Sequence, residues 1–220
     1  MKTGHPNTAL HILVIGANGG IGKQVVELAL EAGHNVTAML RNPAKLVMTH
    51  NNLQIIKGDV MRQETFEDHI EGKDAIISAL GTNTLTKPTI LYSEGNKNLL
   101  KAMKKKGVRR AFFISASALE ISPVLPSYVR FVEKYIVQKI LKHMYDDLRL
   151  MERLIKESDT NWTIMRPPRL TDKPATAEYR FASNWCGKIC LRMPRADLAH
   201  FMINNIANEA TYQATIEIGH

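Results

Sequence analysis

The run Gly16-Ala17-Asn18-Gly19-Gly20-Ile21-Gly22 sets glycines three residues apart, at 16, 19 and 22. An apolar stretch, Leu10–Ile15, stops at the first of them. Helix-period apolar residues (Val25, Val26, Leu28, Ala29) follow the last. In a strand-to-helix turn each glycine has a task. Gly16 permits the tight turn, Gly19 lets the backbone approach a pyrophosphate, and Gly22 lets the helix pack close to the strand. Asn18, Gly20 and Ile21 complete the loop at the helix start, where unpaired N–H groups and the positive end of the helix dipole favour an anion. The pattern predicts a bound dinucleotide.

The next apolar run, Asn35–Leu40, ends in Arg41. Dinucleotide folds that take NAD place an acid there for the ribose 2′-hydroxyl. An arginine instead clamps a 2′-phosphate through paired, charge-assisted bonds, and Lys45 adds a second cation. NADP(H) is therefore expected over NAD(H), by roughly ten- to a hundredfold; the competing reading of Arg41 is a solvated surface residue. Asp59 and Val60 follow a third run, Leu53–Lys57, where an adenine ring would rest, and Asp59 serves equally well as a helix cap.

The elements that position these residues alternate. Strands are expected at Leu10–Ile15, Asn35–Leu40, Leu53–Lys57, Asp74–Leu80, Arg110–Ser115, Trp162–Met165 and Thr215–Ile218, with a short one near Tyr179–Phe181. Helices are expected over Gly22–Ala32, Gln63–Ile70, Thr89–Lys106, from Pro126 to about Ser158 with a break, and over Arg195–Ala207. Right-handed crossovers then give an α/β fold, a Rossmann-type doubly wound parallel sheet with helices on both faces. Residues 1–220 read as a single domain, with about 167–220 forming a small substrate-side region and last strand, and 171–185 placed to act as a lid.

The bulk numbers exclude several classes. With 220 residues and 45% hydrophobic content the chain supports one packed domain. No apolar run reaches the roughly 20 residues of a membrane span, and the N-terminus lacks a signal core, so a cytoplasmic protein with no membrane partner is expected. Cys186 and Cys190 make neither a disulfide framework nor a complete metal-ligand set, and no metal is expected. The net charge of +8 is concentrated in Lys101–Arg110, which reads as a solvated helix end. It lacks the broad basic face with aromatics of a nucleic-acid surface. Asp146 and Asp147 read as solvated too. A monomer is favoured.

With these residues placed, the chain resembles the atypical short-chain dehydrogenase/reductases, in particular the compact NAD(P)H-binding branch of biliverdin-IXβ/flavin reductases and NmrA-like proteins. The matching pieces are the glycine turn, Leu40–Leu46, Lys57–Val60, Ser78–Gly81, Trp162–Pro168 and Arg195–Ala199. The resemblance implies that Ala79, Leu80 and Gly81 line the pyrophosphate and nicotinamide ribose, and that Pro167 and Pro168 shape the nicotinamide pocket. It makes Arg195–Leu198 the structural start of a late helix, with Asp197 an anchor.

Standard members of the wider family use a Tyr-x-x-x-Lys pair, and Tyr135–Lys139 has that spacing. The resemblance, however, matches Glu152 to the acid that follows the pair, which assigns Met144 and Leu148 to the Tyr and Lys positions. Without the pair, it implies an NADPH-dependent reductase delivering hydride to an electron-poor small molecule: a flavin, a quinone or a biliverdin-like tetrapyrrole. Ser115 and Ser117 are the candidates for orienting the acceptor, or else small residues finishing a buried strand. A non-catalytic redox sensor of the NmrA-like kind is the alternative, and a sugar epimerase or dehydratase ranks third.

Overall fold

The computed structural model describes residues 8–82, 86–123, 125–183 and 191–220. Cys186, Cys190 and the end of the expected lid lie outside them. The chain opens with strand β1 (His11–Ile15), helix α1 (Gly20–Glu31) and strands β2 (Asn35–Leu40) and β3 (Leu53–Lys57). Strand β4 (Ala75–Ser78), helix α2 (Leu91–Lys106) and strand β5 (Arg110–Ile114) come next. A long helical stretch follows, in four parts: α3 (Ser127–Val132), a π turn (Glu133–Val137), α4 (Gln138–Ile140) and, after a break at Leu141, α5 (Lys142–Lys156). Strands β6 (Asn161–Arg166), β7 (Arg169–Thr171), β8 (Arg180–Ser183) and β9 (Arg192–Pro194) lead to helix α6 (Arg195–Asn204) and strand β10 (Ala214–Gly219).

Eight strands form one sheet in the order β3-β2-β1-β4-β5-β6-β10-β8. Neighbours are parallel except β8, which runs antiparallel to β10. The Rossmann-type sheet expected from the alternation of elements is therefore present. Its inner strands, β1, β2, β4, β5 and β6, are buried on both faces, as a doubly covered sheet requires. In β1, Ile12 and Val14 join a core with Val25 and Val26 of α1 and Leu198 and Phe201 of α6. Leu13 and Ile15 point the other way, into a core with Leu99 of α2 and Leu148 and Met151 of α5. The same alternation splits Phe112 and Ile114 from Ala111 and Phe113 in β5.

Four expectations need correction. Gln63–Ile70 is not an α-helix but two 3-10 turns, Gln63–Thr65 and Glu67–Ile70. Thr65 holds the first: its Oγ1 accepts from the Asp59 N–H at 2.9 Å and donates to the Arg62 carbonyl at 2.7 Å. The small parallel pair β7–β9 has no counterpart in the sequence reading, because three-residue strands carry no periodicity.

The two remaining corrections concern charge. Arg110 is not part of a solvated helix end: it is buried, with Nε donating to Ile206, Nη1 to Asn161 and Thr163, and Nη2 to Asn205 and Thr211. Its guanidinium lies between the rings of Phe112 and Tyr212, at 4.1 and 4.5 Å from their centroids. Burial pushes its pKa down to about 10, so it stays charged at neutral pH. Asp147 is also buried rather than solvated. Its carboxylate accepts from the N–H groups of Tyr92 (2.9 Å) and Ser93 (3.1 Å) and from the Ser93 hydroxyl. It caps the start of α2 from another helix.

Asp147→Ala should therefore destabilise the protein by about 2 kcal/mol, the cost of leaving those donors unpaired at a helix start. Urea unfolding measures this; a change below about 0.5 kcal/mol, the scale of an ordinary surface substitution, would refute the capping role.

Candidate functional site

A cleft of 340 Å³ opens at the carboxyl ends of β1, β2 and β4. This is where the strand order reverses: β1 has β2 on one side and β4 on the other. Gly16 leaves β1 at φ +75°, and its N–H donates to Met39 of β2 at 3.2 Å. A Cβ on Gly16 would stand 2.5 Å from the Ala79 carbonyl oxygen, and one on Gly22 would stand 2.2 Å from the Gly16 oxygen. Neither position has room for a side chain. The Gly16 carbonyl instead accepts from Gly19 at 2.9 Å, closing the turn from which α1 starts. Asn18, Gly19, Gly20 and Ile21 all line the cleft, at the helix end whose first N–H groups have no intrahelical partner.

The opposite wall comes from the other strand ends. Ala79, Leu80 and Gly81 follow β4, and the Ala79 N–H is pinned to the Ile15 carbonyl at 2.9 Å. Beneath them Ser78 is buried and donates to Asn96 of α2 at 2.7 Å. Arg41 lines the cleft at the end of β2, exposed and with no ion pair among the described residues. Lys45 ends a 3-10 turn, Pro43–Lys45, and lies outside the lining. Asp59 does not cap the following element, a 3-10 turn whose N-cap is Arg62. It lines the cleft, and its Oδ1 accepts from the Met61 N–H at 3.1 Å to hold a turn. Val60 is buried at its side, held by the Asn98 amide donating to its carbonyl at 3.0 Å.

One charged lining residue was not among the expected site residues. Arg195 begins α6, yet its side chain lies across Gly20: a Cβ there would stand 2.7 Å from Arg195 Cδ and 2.8 Å from Nε. Its Nη1 pairs with the exposed Asp172 at 2.5 Å. The available signal was its position. A cation in the first turn of a helix opposes the dipole, which argues for a purpose outside the helix.

Residues 16–209 match the NAD(P)H-binding family. The chain belongs to that family. Among curated relatives it is 29% identical over 140 residues to photosystem II assembly factor Ycf39 of Synechocystis, a match covering 61% of this chain and 43% of Ycf39. The chain thus spans less than half of that relative. In fold it is similar to the oxidoreductase ylbE of Lactococcus lactis, with a TM-score of 0.78 at 19% identity over 96% of this chain and 91% of the other. It is likewise similar to a short-chain dehydrogenase/reductase of Veillonella parvula in complex with NADP, with a TM-score of 0.77 at 18% identity over 97% and 95%.

In this NAD(P)H-binding chain the two candidate serines part company. Ser115, just past β5, is buried, and its hydroxyl donates to Glu152 at 2.7 Å. Glu152 also accepts from Arg166, from Nε at 2.9 Å and from Nη2 at 2.6 Å. Arg166 reaches Glu120 at 2.9 Å as well. Burial pushes the Glu152 carboxyl up, but the bonds and charge of Arg166, with the Ser115 hydroxyl, outweigh it and hold the group below the ordinary glutamate value. Glu152 and Glu120 in turn raise the Arg166 pKa against its own desolvation. Ser117 is half-buried and is fixed only through its backbone, which donates to the Pro167 carbonyl at 3.0 Å. Pro167 and Pro168 lie outside the lining of the cleft itself.

Tyr135 is exposed on the helical stretch after β5, while Met144 and Leu148 are buried in the core of α5. Neither a tyrosine nor a lysine is among the described residues lining the cleft. The described part of the expected lid is tethered: the buried Asp197 accepts from the Thr176 and Ala177 N–H groups at 2.9 and 2.8 Å and pairs with His220 at 2.8 Å. No helix among the described residues is long and apolar enough to cross a membrane.

Because Glu152 has a lowered folded-state pKa, its stabilisation is present above the unfolded value and is lost as pH falls through the folded one. Glu152→Gln should cost roughly 3 kcal/mol at pH 7 and flatten the loss of stability below about pH 4. Unfolding curves across pH test this; equal acid limbs for the two proteins would refute it.

Proposed function

We propose that this chain is an NADPH-dependent reductase that passes hydride to a small electron-poor acceptor, a flavin, quinone or biliverdin-like tetrapyrrole. The observation that carries the reading is the composition of the cleft. Its lining combines the glycine turn with Arg41 and contains, among the described residues, no Tyr–Lys pair to act as proton donor. The nicotinamide carries the redox chemistry when bound, and this chain's residues bind and orient.

The helix start at Gly19–Ile21 receives the pyrophosphate, Arg41 the 2′-phosphate, and Ala79–Gly81 the nicotinamide ribose. Arg195, lying over Gly20, is a second cation for the pyrophosphate. Pro167, whose carbonyl accepts from the Ser117 N–H, and Pro168 bound the nicotinamide side. Ser117 then orients the acceptor, since the hydroxyl hydrogen of Ser115 is committed to Glu152. Holding donor and acceptor in contact supplies most of the rate.

The test is NADPH oxidation by the purified protein across free flavins, biliverdin and quinones, with NADH in parallel. Turnover with at least one acceptor, favouring NADPH over NADH by roughly tenfold or more, is expected. Tight NADPH binding with no turnover on any acceptor would replace this reading with that of a redox sensor.

Two variants separate the cations. Arg41→Ala should weaken NADPH by about tenfold or more and leave NADH unchanged, whereas Arg195→Ala should weaken both alike. Fluorescence titration of each cofactor reads this out, and an equal loss of NADPH and NADH in Arg41→Ala would remove the 2′-phosphate assignment.

A further inference from the structure

The helical stretch 127–140 carries its large apolar side chains on the outside. Tyr128 is 72% exposed, Phe131 59%, Val132 41%, Tyr135 53%, Ile136 48% and Ile140 57%. The stretch rests on the protein through Val129, Glu133, Val137 and Gln138, all half-buried, with the Gln138 amide donating to the Ala118 carbonyl at 2.9 Å. A helix on a globular protein normally turns its apolar stripe inward; this one is inverted.

The stripe is continuous because of the π turn at Glu133–Val137. At about 100° per residue an unbroken α-helix would carry Lys139 into the middle of the stripe and Ile140 toward its edge. The wider π turn takes up one more residue. It keeps Ile136 and Ile140 in line with Tyr128 and Val132, and moves Lys139 to the flank beside Lys134 and Arg130. Phe131 and Tyr135 pack at 4.7 Å between centroids, and the Lys134 ammonium lies 5.3 Å from the Tyr135 ring.

Charge decides what such a face can meet. Arg130, Lys134 and Lys139 are exposed along the stripe, and Lys142 follows one turn on. Glu133, the acid in this stretch, is turned toward the protein. Docking a second copy on the same patch would set these cations against their equals across a two-fold axis. An apolar stripe flanked by cations, with aromatic rings among it, instead matches the boundary between headgroups and acyl chains.

We propose that residues 127–140 form an interfacial helix that binds the surface of an anionic lipid bilayer, sinking the Phe131–Tyr135–Ile136 stripe below the headgroups while Arg130, Lys134 and Lys139 meet the lipid phosphates. It departs from the expectation of no membrane partner, which rested on the length needed to span a bilayer and says nothing of a helix lying on one. The proposal does not depend on the reductase reading.

Co-flotation with vesicles tests it, comparing phosphatidylglycerol mixed into phosphatidylcholine with phosphatidylcholine alone. The wild-type chain should float with the mixed vesicles at least about tenfold better, and should detach at an ionic strength on the order of 0.5 M. Phe131→Ser/Tyr135→Ser/Ile136→Ser should lose about tenfold or more in binding while melting at the same temperature, since the three side chains are exposed. Lys134→Glu/Lys139→Glu should abolish the anionic preference. Flotation unaffected by the triple substitution, or absent from both vesicles, overturns the proposal. So does a wild-type dimer that the triple substitution converts to a monomer without any flotation, because the face then belongs to a second copy.

Discussion

Helix α1 starts in direct contact with the backbone that has just left β1, and much of the structure follows from that approach. The Gly16 carbonyl sits where a side chain on Gly22 would have to be, so strand and helix can draw together only with hydrogen at that position. The close approach fixes the helix axis relative to the sheet and sets the helix start at the cleft between β1 and β4. Because β2 and β4 flank β1 on opposite sides, their following loops part there, and the crevice opens at the helix start. Geometry and dipole thus favour an anion at one place. Arg41 and Arg195 add positive charge at its two sides, one from the neighbouring strand and one from a helix far along the chain.

The other half of the fold is held by buried charge. Arg110 ties the start of β5 to β6, to the end of α6 and to the turn at Thr211, with every guanidinium N–H donated. The complete set of acceptors and two aromatic faces offsets its desolvation, which is why burial lowers the pKa without neutralising the group. Asp147 joins α5 to α2, Asp197 holds the segment before β8 against α6, and the Glu152–Arg166 pair joins α5 to β6. Each links elements distant in sequence. Losing one partner would leave the other charged and dry, so the arrangement is specific even where its net contribution to stability is small.

That division explains what could be read from the sequence. The strands of the sheet and the glycine turn are local signals: apolar runs, glycine spacing and helix period all lie within a few residues of one another. The cleft at the strand ends inherits that legibility, from Gly16 to Gly81. Arg110 and Asp147 were misread because each sits in a run of like charge, and a run of charges is usually a solvated face. Only the fold reveals which member of a run turns inward. Arg195 was missed for a related reason: it reaches Gly20 because α6 packs beside α1, a contact between residues more than 150 positions apart. The inverted stripe at 127–140 shows the right helical period, yet period alone does not say which way an apolar face points.

The Glu152 cluster also bears on what chemistry this edge of the sheet can support. It sits beside the ends of β5 and β6, and it contains a buried carboxyl group. A carboxyl in such a place would serve as an acid if burial dominated, because its proton would then be retained at neutral pH. Here the bonds from Arg166 and Ser115 dominate, and Glu152 stays ionised. An ionised, fully hydrogen-bonded carboxylate has no proton to give, and it withdraws the Ser115 hydroxyl from any other task. A reaction that needs a protein acid at the reduced carbonyl is therefore poorly served by this cluster. An acceptor that spreads the incoming charge over a conjugated ring system and takes its proton from water makes no such demand, and that is the chemical class on which the proposed reductase reading rests.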